Sequence, residues 1–311
     1  MPLQKPVCAA RFKIINIYID MKEIFERIVT QTGEYLTRYN LKAMVLGLSG
    51  GLDSTVCAAI GCEVAKRYGV QLIGISMPCR SNSNEENDIA RNAGIAFCNR
   101  FVTMNLQDLY GLAKFKCDTE LGESTPLSQG NIKARLRMMM LYNTATISGG
   151  LVIDTDNLSE HFLGFWTIHG DVGDFKPIGK LWKTEVYELA KWIRDDYQTR
   201  LGETTEAKEQ CQTAIVALNN AINITPTDGN AVAIGGDMGQ IAPGYTYTEV
   251  DIVLKYLVDN NVQKNMLASD AGLNDIAAQH FGGDMAMVER IANRYYGSAF
   301  KRNTGYVGAV L

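Results

Sequence analysis

Apolar residues along this chain occur in two rhythms, short unbroken runs and longer stretches at helical spacing, and the elements follow from their alternation. Ala43-Met44-Val45-Leu46 has the length and composition of a buried strand. A glycine-rich turn leads from it into the small, apolar Ser54 to Ile60 and then Glu63 to Arg67. Basic residues close that segment and Gly69 follows, so it reads as a helix with a glycine stop. Upstream, Asp20 can cap a helix whose Ile24, Phe25, Ile28 and Tyr35 recur on one face, and Phe12 to Tyr18 could form an initial strand. Downstream come a strand at 70–76 ending in Met77-Pro78, a helix at 84–93, a strand near 97–103 and a helix near 105–115. Strand and helix in alternation imply right-handed βαβ units and a parallel sheet.

The polar stretch Asp118 to Ser128 separates this part from a long helix at about 129–147. Leu151 to Thr155 is a further strand, ending in the acidic turn Asp156 to Glu160. Residues 164–181 are punctuated by glycine and read as loop; helices are expected at 182–196 and 204–222. Residues 223–245 carry five glycines and two prolines, the signature of a mobile loop. Helices near 247–258 and 284–297 precede a tail, Phe300-Lys301-Arg302-Asn303. With no repeat and no low-complexity linker, the expectation is one α/β domain over 1–311: an open, doubly wound parallel sheet with a helical C-terminal portion.

Composition narrows the class. The 311 residues, 46% hydrophobic, can bury a substantial core, and no apolar run reaches the ~18 residues that a membrane span needs. The first twenty residues lack the apolar core and small-residue cleavage site of a secretory signal. A net charge of −4 with interspersed signs disfavours an extended nucleic-acid surface. The seven cysteines (Cys8, Cys57, Cys62, Cys79, Cys98, Cys117 and Cys211) are scattered, with no Cys-x-x-Cys pair. They fit reduced, cytoplasmic thiols used as small hydrophobes better than a zinc site or a disulfide framework.

The chemistry concentrates in Gly47-Leu48-Ser49-Gly50-Gly51-Leu52-Asp53-Ser54, between strand and helix. Paired glycines allow positive φ and close backbone approach to an anion. Free amides of the first helical turn and the helix dipole favour a phosphate there. Ser49, Ser54 and Thr55 add hydroxyls, and Asp53 can hold a divalent cation against phosphate oxygens. No Gly-Lys-Ser/Thr follows, so this is not a Walker motif. Ligands collect at the carboxyl ends of parallel strands, and Thr155 to Glu160 occupies such an end, so Glu160 could join Asp53 on Mg²⁺. Lys133 and Arg137, four apart, share one helical face, with Arg135 on another.

The hexapeptide Ser-Gly-Gly-Leu-Asp-Ser resembles the pyrophosphate loop of the N-type ATP pyrophosphatases, of adenine nucleotide alpha-hydrolase-like fold. Taken in order with Gly130-Asn131-Ile132-Lys133-Ala134-Arg135-Leu136-Arg137-Met138, Thr155-Asp156, Glu160, Gly164-Phe165, Gly170-Asp171, Asp174, Pro177, Leu181-Trp182-Lys183, Pro226-Thr227 and Lys301-Arg302, it resembles the ammonia-dependent NAD synthetases over roughly residues 20–303. The resemblance implies adenylation of the nicotinate carboxylate of deamido-NAD by ATP with Mg²⁺, then displacement of AMP by ammonia. It also implies ATP contacts from residues 47–54 and from Thr155, Lys183 and Thr227, with Asp53 and Lys183 catalytic. Asp53 and Glu160 would be the magnesium ligands, and Arg135, Asp174 and Lys301 the deamido-NAD contacts. A homodimer is implied, and no nucleophilic side chain is required, which leaves His161, His169 and His280 structural or peripheral. Two positions depart from the family pattern: Ile168 stands where a lysine is usual, and Phe300 where a histidine is usual. Both would touch the acceptor, which keeps two rivals open. One is a related pyrophosphatase with another acceptor, such as a tRNA-modifying thiolase; the other is a nucleotide-binding homologue without turnover.

Overall fold

The computed structural model describes residues 20–79, 83–203, 208–227 and 236–302; the expected strand at 12–18, together with Cys8 and Asn303, lies outside them. Helix α1 (Met21–Arg38) begins at Asp20, whose carboxylate accepts the Lys22 amide at 2.9 Å, and it buries Phe25, Val29 and Leu36. Then come β1 (Ala43–Gly47), α2 (Leu52–Tyr68), β2 (Gln71–Ser76), α3 (Asn84–Phe97), β3 (Arg100–Thr103), α4 (Gln107–Leu121), α5 (Pro126–Ser148) and β4 (Leu151–Ile153). The chain continues through α6 (Leu158–Leu163), α7 (Lys183–Glu203), α8 (Lys208–Asn223), α9 (Gly236–Ile241) and α10 (Tyr247–Asp259). A 3₁₀ turn (Lys264–Ser269), α11 (Ala271–His280), α12 (Met285–Gly297) and α13 (Ala299–Arg302) complete the described chain.

The strands are parallel in the order β3-β2-β1-β4. β1 is central: Ala43–Gly47 pairs with Gln71–Ile75 on one side, and Met44–Leu46 with Leu151–Ile153 on the other. A strand covered on both faces must be apolar throughout, which is why Ala43 to Leu46 form an unbroken run. Alternate residues serve opposite layers. Met44 and Leu46 pack with α1, α2, α3, α7 and α8, while Ala43 and Val45 pack with residues of α4 and α5. Winding runs outward from β1 to β3 and then returns to place β4 on the other side of β1. The switch point between the carboxyl ends of β1 and β4 is where an open parallel sheet leaves a crevice. A separate apolar cluster joins Leu163 of α6 to residues of α9 through α12, so α6 belongs to a helical body standing beside that crevice.

Four sequence expectations change. The acidic turn at 156–160 is a helix start: Asn157 caps α6 in a reciprocal capping box with Glu160. The helices flanking the polar 118–128 stretch reach into it, because Pro126 fits the first position of α5 and Thr125 caps it. Part of the expected 223–245 loop is helix α9, with Asp237 and Ile241 buried; residues 228–235 lie outside the described residues. The 3₁₀ turn and α11 were not foreseen, being too short for a strong periodic signal.

Leu46 is fully buried on the central strand. Leu46→Ala is expected to cost about 2–5 kcal/mol, read as a lowered urea midpoint at unchanged slope.

Candidate functional site

The phosphate loop leaves β1 in ladder register, since the Leu48 amide still donates to Ile75 O at 2.9 Å. Gly50 then takes φ +87°, and a Cβ there would stand 2.1 Å from the backbone oxygen of Glu86, so only glycine fits. Ser49 Oγ accepts the Gly51 amide at 3.2 Å and lies 3.1 Å from Ser54 Oγ. The hydroxyls of Ser54 and Thr55 donate to Gly51 O at 3.1 and 3.0 Å. Closed on itself in this way, the loop brings the first turn of α2, with Leu52, Asp53 and Ser54, to the wall of the crevice.

That crevice is a cleft of about 240 Å³, walled by the loop, by Ser76 to Pro78 after β2, by Asp154 to Asp156 after β4, and by Thr225 to Thr227. At its floor a buried lysine joins two carboxylates. Lys183 Nζ donates to Asp53 Oδ2 and, at 2.8 Å, to Glu160 Oε1; its side chain is 3% exposed. Asn157 completes the knot by donating from Nδ2 to Asp53 Oδ1 at 2.9 Å while its own Oδ1 caps the Glu160 amide at 3.0 Å. Burial pushes the Glu160 carboxyl up to about 7, Asp53's charge adds to the push, and Lys183 opposes it. Burial works against the Lys183 ammonium as well, yet the Asp53 and Glu160 charges outweigh it and hold the group above its ordinary range.

One cation therefore serves two anions, and the surrounding wall is acidic too. Asp154, Asp156, Asp171, Asp237 and Glu86 line the same cleft. Lys176 Nζ reaches Asp154 at 2.9 Å and Asp156 at 3.0 Å, and burial beside Asp154 pushes the Asp156 carboxyl far up. A polyanion enters such a cleft only if further positive charge comes with it. Asp53 and Glu160 are hard oxygen donors of the kind Mg²⁺ accepts together with phosphate oxygens and water. Among the described residues no cluster of three or more His, Cys, Asp or Glu could hold a metal ion, so protein side chains alone supply two such donors here, Asp53 and Glu160.

Gly47, Leu48, Ser49, Gly51, Leu52, Asp53, Ser54, Thr155, Glu160, Lys183 and Thr227 all border the cleft, and Thr227 donates to Glu86 Oε1 at 3.3 Å. Gly50 stands behind it against Glu86. Arg135, Asp174 and Lys301 are not among the lining residues. All three instead tie down the segment 164–175. Arg135 donates to Ile168 O at 3.2 Å, Lys301 Nζ to Gly164 O at 2.6 Å and to Trp166 O. Asp174 accepts the Val152 amide at 2.9 Å and the Tyr142 hydroxyl at 3.0 Å. Sequence reasoning missed Asn157, Asp237 and Tyr187, and assigned no site role to Arg137, which lines the cleft and donates to Met77 O at 3.2 Å. Its i,i+4 pairing with Lys133 was the available signal; Asp237, within an expected loop, offered none.

A glycine-bent phosphate loop at the switch point of a parallel sheet, opening an acidic cleft, defines an α/β protein of the ATP pyrophosphatase fold. A family-wide sequence model described as NAD synthase matches residues 24–305, and the chain belongs to that family. It is 37% identical over 160 residues to an NH(3)-dependent NAD(+) synthetase of Finegoldia magna, covering 49% of this chain and 61% of that protein. The corresponding protein of Pyrococcus furiosus is 33% identical, with 54% of this chain and 63% of that one covered; the alignments thus span less than two thirds of these relatives. One of Thermococcus sibiricus is 27% identical over 82% of this chain and 88% of its own. Among solved structures, an NMN synthetase from Francisella tularensis superposes with TM-score 0.69 at 24% identity, over 94% of this chain and all of that one. An NH3-dependent NAD synthetase from Campylobacter jejuni gives 0.65 at 24% identity over the same shares.

In metal-free, nucleotide-free protein the raised Glu160 carboxyl works against stability as it ionises. The folded state keeps its proton up to about pH 7, while the unfolded chain loses it near 4.5. The stability of the wild type minus that of Glu160→Gln should therefore fall between pH 4.5 and 7 and level off above, measured by urea unfolding across that range.

Proposed function

We propose that this protein is an ammonia-dependent NAD synthetase that adenylates the nicotinate carboxylate of deamido-NAD. The carboxylate oxygen attacks the α-phosphorus of ATP and pyrophosphate leaves. Ammonia then attacks the acyl carbon, AMP leaves, and the excess proton passes to solvent, giving the amide of NAD. The observation that carries this reading is the Asp53–Lys183–Glu160 group beneath a pyrophosphate loop, in a chain of this family. The amides of Leu52 to Ser54 would cradle phosphate oxygens, with Thr155 and Thr227 on the opposite walls. Lys183, whose Nζ lies between Asp53 and Glu160, would face charge that builds at the phosphoryl group. Asp53 and Glu160 would hold Mg²⁺, which neutralises triphosphate charge when bound. Proximity does the rest, since two anionic reactants fixed in line need no covalent enzyme intermediate.

A second reading differs only in the acceptor. Arg135, Asp174 and Lys301 are engaged with the 164–175 segment and its neighbours outside the cleft, which favours an acceptor held by other groups, such as the mononucleotide of the Francisella tularensis protein. The thiolase alternative fits poorly. The described cysteines form no disulfide, and burial pushes the Cys57, Cys62 and Cys98 thiols up, away from reactive thiolate. Cysteines without disulfides also suit the cytoplasm, and no described helix is long and apolar enough to cross a membrane.

The single-domain organisation and the homodimer belong to the same proposal. Helix α5 has 23 residues, rich in Met, Leu and Ile, yet only Gly130, Ala134 and Ala145 are buried. Leu112, Phe115 and Leu121 of α4 are exposed, as are Leu127, Met139 and Ile147 of α5. Exposed apolar side chains on these two neighbouring helices suit contact with a second copy of the chain.

Purified protein with ATP, Mg²⁺, ammonium and deamido-NAD should release AMP and pyrophosphate; with nicotinate mononucleotide instead, greater release would favour the second reading, and release with neither would end both. Lys183→Met should lower turnover about 10²–10³-fold in the same assay. Sedimentation should find two chains together, and Phe115→Glu with Ile147→Glu should shift the population toward single chains.

A further inference from the structure

Lys183 is the first residue of α7, so the direction of its side chain depends on how the start of that helix is held. Each of three successive amides there meets a side-chain acceptor. The Trp182 amide donates to Glu185 Oε2 at 2.9 Å, the Lys183 amide to Ser159 Oγ at 2.8 Å, and the Thr184 amide to Asp251 Oδ2 at 3.0 Å. Glu185 acts within its own helix. The other two acceptors come from α6 and α10, and they are joined: the Ser159 hydroxyl donates to Asp251 Oδ1 at 2.5 Å. A hydroxyl carries one proton, so Ser159, having given it to Asp251, offers its lone pairs to the Lys183 amide. Asp251 also accepts the Thr184 hydroxyl at 2.9 Å and is 1% exposed.

Asp251 thus ties two helix starts together, one carrying Lys183 and the other carrying Glu160 next to Ser159. Its anion faces the positive end of α7, where a carboxylate is favourable. One turn earlier on α10, the Tyr247 ring lies 5.4 Å from Lys183 Nζ, and one turn later Lys255 approaches Glu185 at 3.6 Å. α10 therefore presents Tyr247, Asp251 and Lys255 as a stripe along the start of α7, and only the middle residue links α6 and α7 by hydrogen bonds.

We infer that Asp251 is a positioning residue: through Ser159 and the first amides of α7 it sets the distance between Lys183 and Glu160 on which phosphoryl transfer depends. The inference rests on the adenylation reading above. A displaced lysine weakens charge stabilisation at the transition state more than it weakens nucleotide binding, so kcat and KM should separate.

The test measures pyrophosphate release, with kcat and KM for ATP, in wild type, Asp251→Asn, Ser159→Ala, the double variant and Lys255→Ala. Asp251→Asn should lower kcat about ten- to a hundredfold while KM for ATP stays within about threefold. Ser159→Ala, which removes one hydroxyl and is the safer variant should Asp251→Asn unfold, should lower kcat several-fold at an unchanged melting temperature. The double variant should be no worse than Asp251→Asn, because both cut one chain of contacts. Lys255→Ala should stay within about twofold of wild type, since it loosens only the outer end of the stripe. Unchanged kcat in Ser159→Ala and any folded Asp251→Asn, additive losses in the double variant, or an equal loss in Lys255→Ala would overturn the role while leaving wild-type activity, and so the functional reading, intact. A wild type that releases no pyrophosphate would overturn both.

Discussion

A buried ammonium shared by two carboxylates governs the rest of this molecule. Lys183, Asp53 and Glu160 sit where water is largely excluded, and once Glu160 ionises, above about pH 7, the group carries an excess of one negative charge. Solvation cannot balance it, so the fold does. Asp53 and Glu160 lie in the first turns of α2 and α6, where the helix dipole favours a carboxylate, and the Asn157 side-chain amide donates to Asp53. The wall around this group is acidic as well, with Asp154, Asp156, Asp171, Asp237 and Glu86 lining the same cleft.

The three charged groups come from separate parts of the chain. Asp53 rides on the turn after β1, whose position follows from the central strand and its neighbours on both sides. Glu160 and Lys183 ride on helices held between the α/β core and the C-terminal helical cluster. That second cluster thus has a task beyond its own stability. Through Asp251 of α10, bonded to Ser159 and to the Thr184 amide, it holds the start of α7. Packing of the C-terminal helices is coupled to charge placement in the cleft.

The segment 164–175 shows the same economy of contacts on the outer side. Arg135, Lys301 and Asp174, which the family resemblance assigns to the acceptor, hold this segment's backbone or anchor it to β4. Whatever these groups contact in a complex, in the free protein they shape the loop between β4 and α7. Ile168 stands at its centre, and its carbonyl, not its side chain, receives the Arg135 guanidinium.

Local sequence determined a good deal by itself. The unbroken apolar run at 43–46 requires a strand covered on both faces, alternation of strands and helices requires a parallel sheet, and Gly50 records a turn that no other residue can make. These are nearest-neighbour properties, so they are written in nearest neighbours. The strand order that opens the crevice, the helix start at Asn157, the burial of Asp237 and the reach of Asp251 to α7 were decided only in three dimensions. Asp251 lies 92 residues from Ser159 and 67 from Thr184, and a carboxylate that finds its donors across such separations leaves no periodic trace. Propensity acts over a few residues, whereas charge and burial act wherever the folded chain brings groups together, and this site is made of the latter.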